Sequence, residues 1–219
     1  MNYYWISYII STSAIIPLFF ALIKIGKTNV NDNYFLFFVI FSSVSELLGQ
    51  NLILFKMIKL ATLVGNINIL IFQVLFSFIF YKWGTIQSKA SIYLLNTGFI
   101  CLWYFENLFL SNLFITNSLS RVFLALFIVY NSVHLIGQQH LKINKSLWNS
   151  PMLLIPITFT ICYSYKALLE TLFIFKLPFN NSILIIAFSI MTYWNLLANI
   201  NYTKSILCMD SQKRLTLFI

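Results

Sequence analysis

The chain carries only five acidic side chains, Asp32, Glu46, Glu106, Glu170 and Asp210, and all three glutamates lie inside long apolar runs. One run, Pro151 to Lys176, also contains Lys166, four residues before Glu170. Ionisable groups in such segments are costly unless they pair, face a polar interior, or serve a ligand or ion. Lys166 and Glu170 stand one helical turn apart and are expected to pair directly. Glu46 has no basic residue near it in sequence, which makes it the best single candidate for a functional carboxylate.

Amides and hydroxyls accompany these charges at helical spacing. Ser43, Glu46 and Gln50 recur at i, i+3 and i+7, as do Tyr163, Lys166 and Glu170, and Asn131, His134 and Gln138. Each set forms one polar stripe on an otherwise apolar helix, the pattern of a bundle with a polar interior and an apolar exterior. Two groups of site candidates follow. Glu46, Gln50, Asn66, Asn68, Gln73, Glu106, Lys166 and Glu170 form an outer set for a ligand or an ion path. Asn131, His134, Gln138, Asn195 and Asn199 form an inner stripe. Three roles remain open for the charges: a structural Lys166–Glu170 pair, a polar ligand site or proton path, and snorkelling of Lys166 to the outer surface. His134 among amides reads as a packing histidine, with a proton relay as the sharper alternative.

The elements that must position these groups are set by composition. Of 219 residues, 60% are hydrophobic and only 9% charged, against about a quarter charged in soluble domains. The mean hydropathy is +0.85. A lipid bilayer is therefore the expected solvent and partner. A span needs about 20 mostly apolar residues. Seven are expected, at about 4–25, 34–55, 60–81, 91–113, 119–139, 151–175 and 182–202, in one all-α domain over 1–219. Pro17 is an expected kink in the first span, and the start of the chain reads as that span and not as a cleaved leader. The runs are too long, and lack the alternation, for barrel strands.

The net charge of +9 sits mainly at span ends, which fits topology control and lipid headgroups, not nucleic acid. Counting by side gives Lys56, Lys59, Arg121 and Lys176 on the face that holds the N-terminus. The opposite face has nine: Lys24, Lys27, Lys82, Lys89, Lys142, Lys145, Lys204, Lys213 and Arg214. That bias predicts the N-terminus outside and the C-terminus in the cytoplasm of a bacterial inner membrane. Trp5, Trp83 and Trp148 fall at the expected interfaces.

The three cysteines, Cys101, Cys162 and Cys208, are scattered and suggest neither a metal site nor a disulfide framework. With His134 and His140 as the two histidines, no three-ligand zinc site is expected. No nucleophile elbow, HExxH, P-loop or dinucleotide fingerprint is present, so no catalytic residue, cofactor or metal is assigned.

The stretches SSVSELLGQNL, NINILIFQVLFSFIFYKW, SPMLLIPITFTICYSYKALLETLF and NNSILIIAFSIMTYWNLL resemble a group of small, uncharacterised seven-helix membrane proteins of Bacteroidota. The architecture is similar to the seven-helix sensor regions that precede histidine kinases. The resemblance implies an acid near Phe72 and Gln73 and a small residue where Lys166 stands, so this chain departs from the group at both places. It implies a ligand-sensing or accessory signalling module that works through a membrane or cytoplasmic protein partner. A small transporter or channel is the alternative, and a lipid-modifying membrane enzyme is a third reading.

Overall fold

A computed structural model describes residues 8–110, 112–140, 150–175 and 181–209. Among them there is no strand. The helices are α1 (Ile15–Lys24), α2 (Val30–Leu54), α3 (Ile58–Lys82), α4 (Lys89–Phe105), α5 (Ser118–His140), α6 (Pro151–Ile174) and α7 (Asn181–Cys208). A helical segment at 8–12 leads into α1, and a π-helical turn, Glu106–Leu110, extends α4. Four helices, Asn31–Leu54, Ile58–Lys82, Ser118–Gln139 and Pro151–Ile174, are long and apolar enough to cross a membrane. Large apolar side chains crowd the outside of the bundle, among them Leu94 at 77% exposure and Phe109 at 72%. Such a surface belongs in lipid, because exposed apolar patches of this extent are not tolerated in water. Trp5, Trp148, Lys142, Lys145, Lys176, Asp210, Lys213 and Arg214 lie outside the described residues.

Proline and glycine mark the breaks. Pro17 has no N–H to donate to the carbonyl of Ser13, and the helix gives way to a turn at 13–14, where the Ile16 N–H bonds Ser13 at 3.1 Å. The kink expected at Pro17 therefore falls in the turn before it, as the geometry of proline requires. The C-termini of α2 and α3 close alike. The Met57 N–H bonds the Leu52 carbonyl at 2.8 Å, and the Thr85 N–H bonds that of Phe80 at 3.0 Å. This is the 6→1 closure that needs a left-handed residue just before the donor. Gly84 fills that position after α3 with φ of 84°, and Lys56 fills it after α2 with φ of 60°. The side chain of Ser88 caps α4 by accepting from the Ser91 N–H at 3.0 Å.

Helix contacts close a ring. α1 packs on α2 and α7, α2 on α3, α3 on α5, α5 on α6 along the most extensive interface, and α6 on α7. α4 stands outside the ring against α3. α2 and α6 therefore face each other across the interior. One end of that interior is filled by an aromatic plug of Phe35, Phe38, Phe76, Phe80, Phe159, Tyr163 and Tyr202, all buried. Phe76 centres it, with ring centroids 4.7 Å from Phe38, 5.1 Å from Phe159 and 5.5 Å from Tyr163. Trp83 joins this plug beside Phe35 at 6.2 Å and is 7% exposed, so it is a packing residue and not the interfacial indole expected from its position.

Candidate functional site

Above the plug the ring encloses a cavity of about 420 Å³. α2 contributes Ser42, Ser45, Glu46, Gly49 and Gln50, which share one helix face by their spacing. α3 supplies Gly65 and Asn68, α5 Arg121, α6 Tyr163, Lys166 and Glu170, and α7 Asn195, Asn199 and Tyr202. Ile69, Phe72, Leu169, Phe173, Phe188 and Met191 add apolar wall. Its lining runs from Ile53 and Ala61, beside the α2–α3 turn, down to Phe38 and Tyr202 of the plug.

The charges pair differently from the expectation. Glu170 does not take Lys166 as its partner. Its Oε1 lies 3.4 Å from Arg121 Nη1, and its Oε2 accepts from the Ser118 hydroxyl at 2.7 Å. Two physical reasons account for this. A lysine placed before a glutamate at i, i+4 is the less favourable order on a helix, and α5 offers Glu170 a guanidinium and a hydroxyl that together occupy both of its oxygens. Lys166 Nζ sits 4.9 Å from the centre of the Tyr163 ring, a cation–π contact. Its electrostatic neighbours are Glu46, across the cavity on α2, and Cys162. Among the described residues Arg121–Glu170 is the ion pair; Glu46 and Lys166 sense one another's charge without closing a salt bridge. Ser11, buried in the segment before α1, is near Glu46.

Glu106 sits outside the cavity lining and is 5% exposed. Its carboxylate accepts from the backbone N–H groups of Leu119 at 2.9 Å and Ser120 at 2.8 Å, and from the Ser120 hydroxyl. A carboxylate here satisfies donors that the first turn of α5 cannot satisfy itself and sits at the positive end of the helix dipole. Glu170 contacts the same helix end through Ser118 and Arg121. Two of the three glutamates thus serve to anchor the N-terminus of α5, which leaves Glu46 as the carboxylate facing Lys166.

The remaining candidates divide. Asn66 is fully buried and ties together the approach to α5. Its Nδ2 donates to the carbonyls of Leu113 at 3.0 Å and Ile115 at 2.7 Å, and its Oδ1 accepts from the Asn117 N–H at 3.3 Å and Arg121 Nη2 at 3.5 Å. Gln73 lies between α3 and α4, where it donates to Ser77, which donates in turn to Asn96. Neither lines the cavity. Asn68 does, donating to the Ser45 hydroxyl, and so does Gln50. The inner stripe splits in the same way. Asn195 and Asn199 line the cavity, with Asn199 Nδ2 donating to the Ser13 hydroxyl at 2.9 Å. Asn131 is buried below the cavity and bonds the Phe127 carbonyl of its own helix, and His134 is exposed with Gln138 at 2.9 Å; none of the three lines the cavity.

The structure adds Arg121, Ser118, Ser11 and Ser13 to the residues singled out by sequence. Arg121 had a signal of its own, as the basic residue that opens an apolar run, but its sequence neighbours do not reveal Glu170 as its partner. Comparison with protein-family models, curated proteins and solved structures gave no match. The chemistry of the site therefore stands on its own residues.

Proposed function

We propose that this chain is a seven-helix inner-membrane protein that binds a small polar ligand in the cavity and acts as a sensing or accessory signalling module. The observation that carries the reading is the pairing of two features. A cup holds Glu46 and Lys166 on facing helices, and a plug of buried aromatic rings lies directly beneath it. A carrier or channel needs a continuous or alternating route for its cargo, whereas a cup with a packed floor suits binding and report. The basic residues at the plug end, Lys24, Lys27, Lys82, Lys89 and Lys204, outnumber Lys56, Lys59 and Arg121 at the mouth, which supports a cytoplasmic plug end and a mouth that opens outside. Signalling then requires a membrane or cytoplasmic protein partner, as the resemblance to the Bacteroidota group and to kinase sensor regions also implies.

A thermal-shift screen of small polar metabolites against the purified protein in nanodiscs tests the reading. Gly49 lines the cavity and an added Cβ there meets nothing within 4 Å, so the side chain of Gly49→Leu starts into open space at the cup wall. A true ligand at about 100 times its Kd stabilises the wild type by about 2.7 kcal/mol and loses that effect in Gly49→Leu. Ligands that stabilise both proteins equally would refute binding in the cup. Flux of the same ligand across proteoliposomes would instead establish transport, with a plug that moves.

A further inference from the structure

The cavity holds two basic and two acidic side chains, and they are not used alike. Arg121 and Glu170 neutralise each other at 3.4 Å, and Glu170 has a second bond from Ser118. Glu46 and Lys166 stand on α2 and α6, which lie opposite one another in the ring, α2 joined to α6 through α3 and α5 on one side and through α1 and α7 on the other. Lys166 rests over the Tyr163 ring and Glu46 lies near Ser11, and no direct ion pair closes between the two charges. One negative and one positive group are thereby presented to the same space from facing walls. Between them lie apolar surfaces, chiefly Ile69, Phe72, Leu169 and Phe188.

We propose, on the reading of the cup as a ligand site, that its ligand is a small zwitterion with an apolar side group. An ammonium would face Glu46, a carboxylate would face Lys166, and the hydrocarbon would lie against the aromatic and aliphatic wall. Charge balance decides the class. A ligand with one net charge compensates one wall and leaves the opposite charge to be desolvated as the cavity fills, which costs several kcal/mol in a low-dielectric site. A neutral ligand compensates neither. A zwitterion answers both and adds no net charge to a site whose own side chains already sum to zero. The apolar wall favours a hydrocarbon side group over a second polar arm, because polar atoms pressed on Phe72 and Leu169 would lose water without replacing it.

The test uses the wild-type protein in nanodiscs with six probes: L-leucine, L-phenylalanine, their decarboxylated amines (3-methylbutylamine and phenethylamine), and their deaminated acids (4-methylpentanoate and 3-phenylpropanoate). Calorimetric titration should show the amino acids binding at least about ten-fold more tightly than either single-charge counterpart, the loss expected for one charge-assisted contact. Glu46→Gln should abolish the advantage of the amino acid over the acid, and Lys166→Gln its advantage over the amine. Equal binding of an amine or an acid and its parent amino acid overturns the zwitterion while leaving the cup as a binding site. Failure of all six probes to bind also overturns it. The wild-type comparison decides without the variants, so a misfolded mutant leaves no ambiguity. Failure of the broader reading shows separately, as metabolites that stabilise the Gly49→Leu protein as well as the wild type.

Discussion

Removing the Glu106 carboxylate should loosen the start of α5. The group is 5% exposed and receives two backbone N–H donors at 2.8 and 2.9 Å together with the Ser120 hydroxyl. Glu106→Ala leaves those donors buried without an acceptor. Each unsatisfied donor costs about 1–3 kcal/mol, and water entering the vacated space recovers part of that. A loss of about 3–5 kcal/mol is expected, larger than the 0.5–2 kcal/mol of an exposed helix cap. Glu106→Gln keeps one acceptor oxygen and the side-chain length but loses the charge that complements the helix dipole, so about 1–2 kcal/mol is expected. The ordering Ala worse than Gln is the specific claim. Equilibrium unfolding in mixed micelles, followed by tryptophan fluorescence, reads it. Trp103 is a local reporter because its indole N–H donates to the Asn66 carbonyl at 3.0 Å, beside the loop that leads into α5. If Glu106→Ala unfolds within 0.5 kcal/mol of the wild type, a threshold about half a normal hydrogen bond, the carboxylate is not the acceptor that α5 depends on.

Other outcomes follow from the same geometry. In a double-mutant cycle, Arg121→Ala and Glu170→Ala should couple by about 0.5–1.5 kcal/mol, modest because the pair is partly exposed, whereas the cycle of Lys166→Ala with Glu170→Ala should show almost none. Gly49→Ala should stabilise the protein by about 1 kcal/mol through helix propensity, because nothing meets the new Cβ; Gly65→Ala should lose that gain, since its Cβ comes 3.1 Å from Arg121 Nη2. Lys56→Gly should raise stability by about 0.5–1 kcal/mol by relieving a lysine held at φ of 60°. Phe76→Ala should cost about 3 kcal/mol, the low end for a buried phenylalanine, because lipid supplies little hydrophobic drive between helices and the loss is one of packing. All are read by chemical or thermal unfolding in micelles.

The three glutamates show how alike in sequence, and how different in use, acids within apolar runs can be. Glu106 and Glu170 both converge on the first turn of α5, where dipole and free N–H groups make an anion favourable. Glu46 meets Lys166 only across the ring. In lipid each polar group must find its partner inside the protein. Which partner it finds sorts a structural acid from a candidate site.

Much of the architecture is legible without coordinates, because composition and run length answer to the solvent. Apolar runs of bilayer length, breaks at Gly84 and Pro17, and polar stripes at i, i+3 and i+7 are local properties of the chain, and the helices follow them closely. Four of those helices carry the length and apolarity of membrane spans. Local pattern also yields Glu46, Gln50, Asn68, Lys166, Glu170, Asn195 and Asn199 as polar groups on helix faces, and the cavity gathers all of them. Periodicity fixes that a stripe exists, not what it faces. Asn66 and Gln73 carry the same signal yet serve helix packing, and the stripe of Asn131, His134 and Gln138 splits, Asn131 buried below the cavity and His134 exposed. The closure of α1, α2, α3, α5, α6 and α7 into a ring, with α4 outside, decides which faces meet. That arrangement depends on contacts between residues far apart in the chain, such as Arg121 with Glu170 and Asn199 with Ser13. No spacing rule along one helix encodes them, and so the pairing of the charges was left for the tertiary structure to decide.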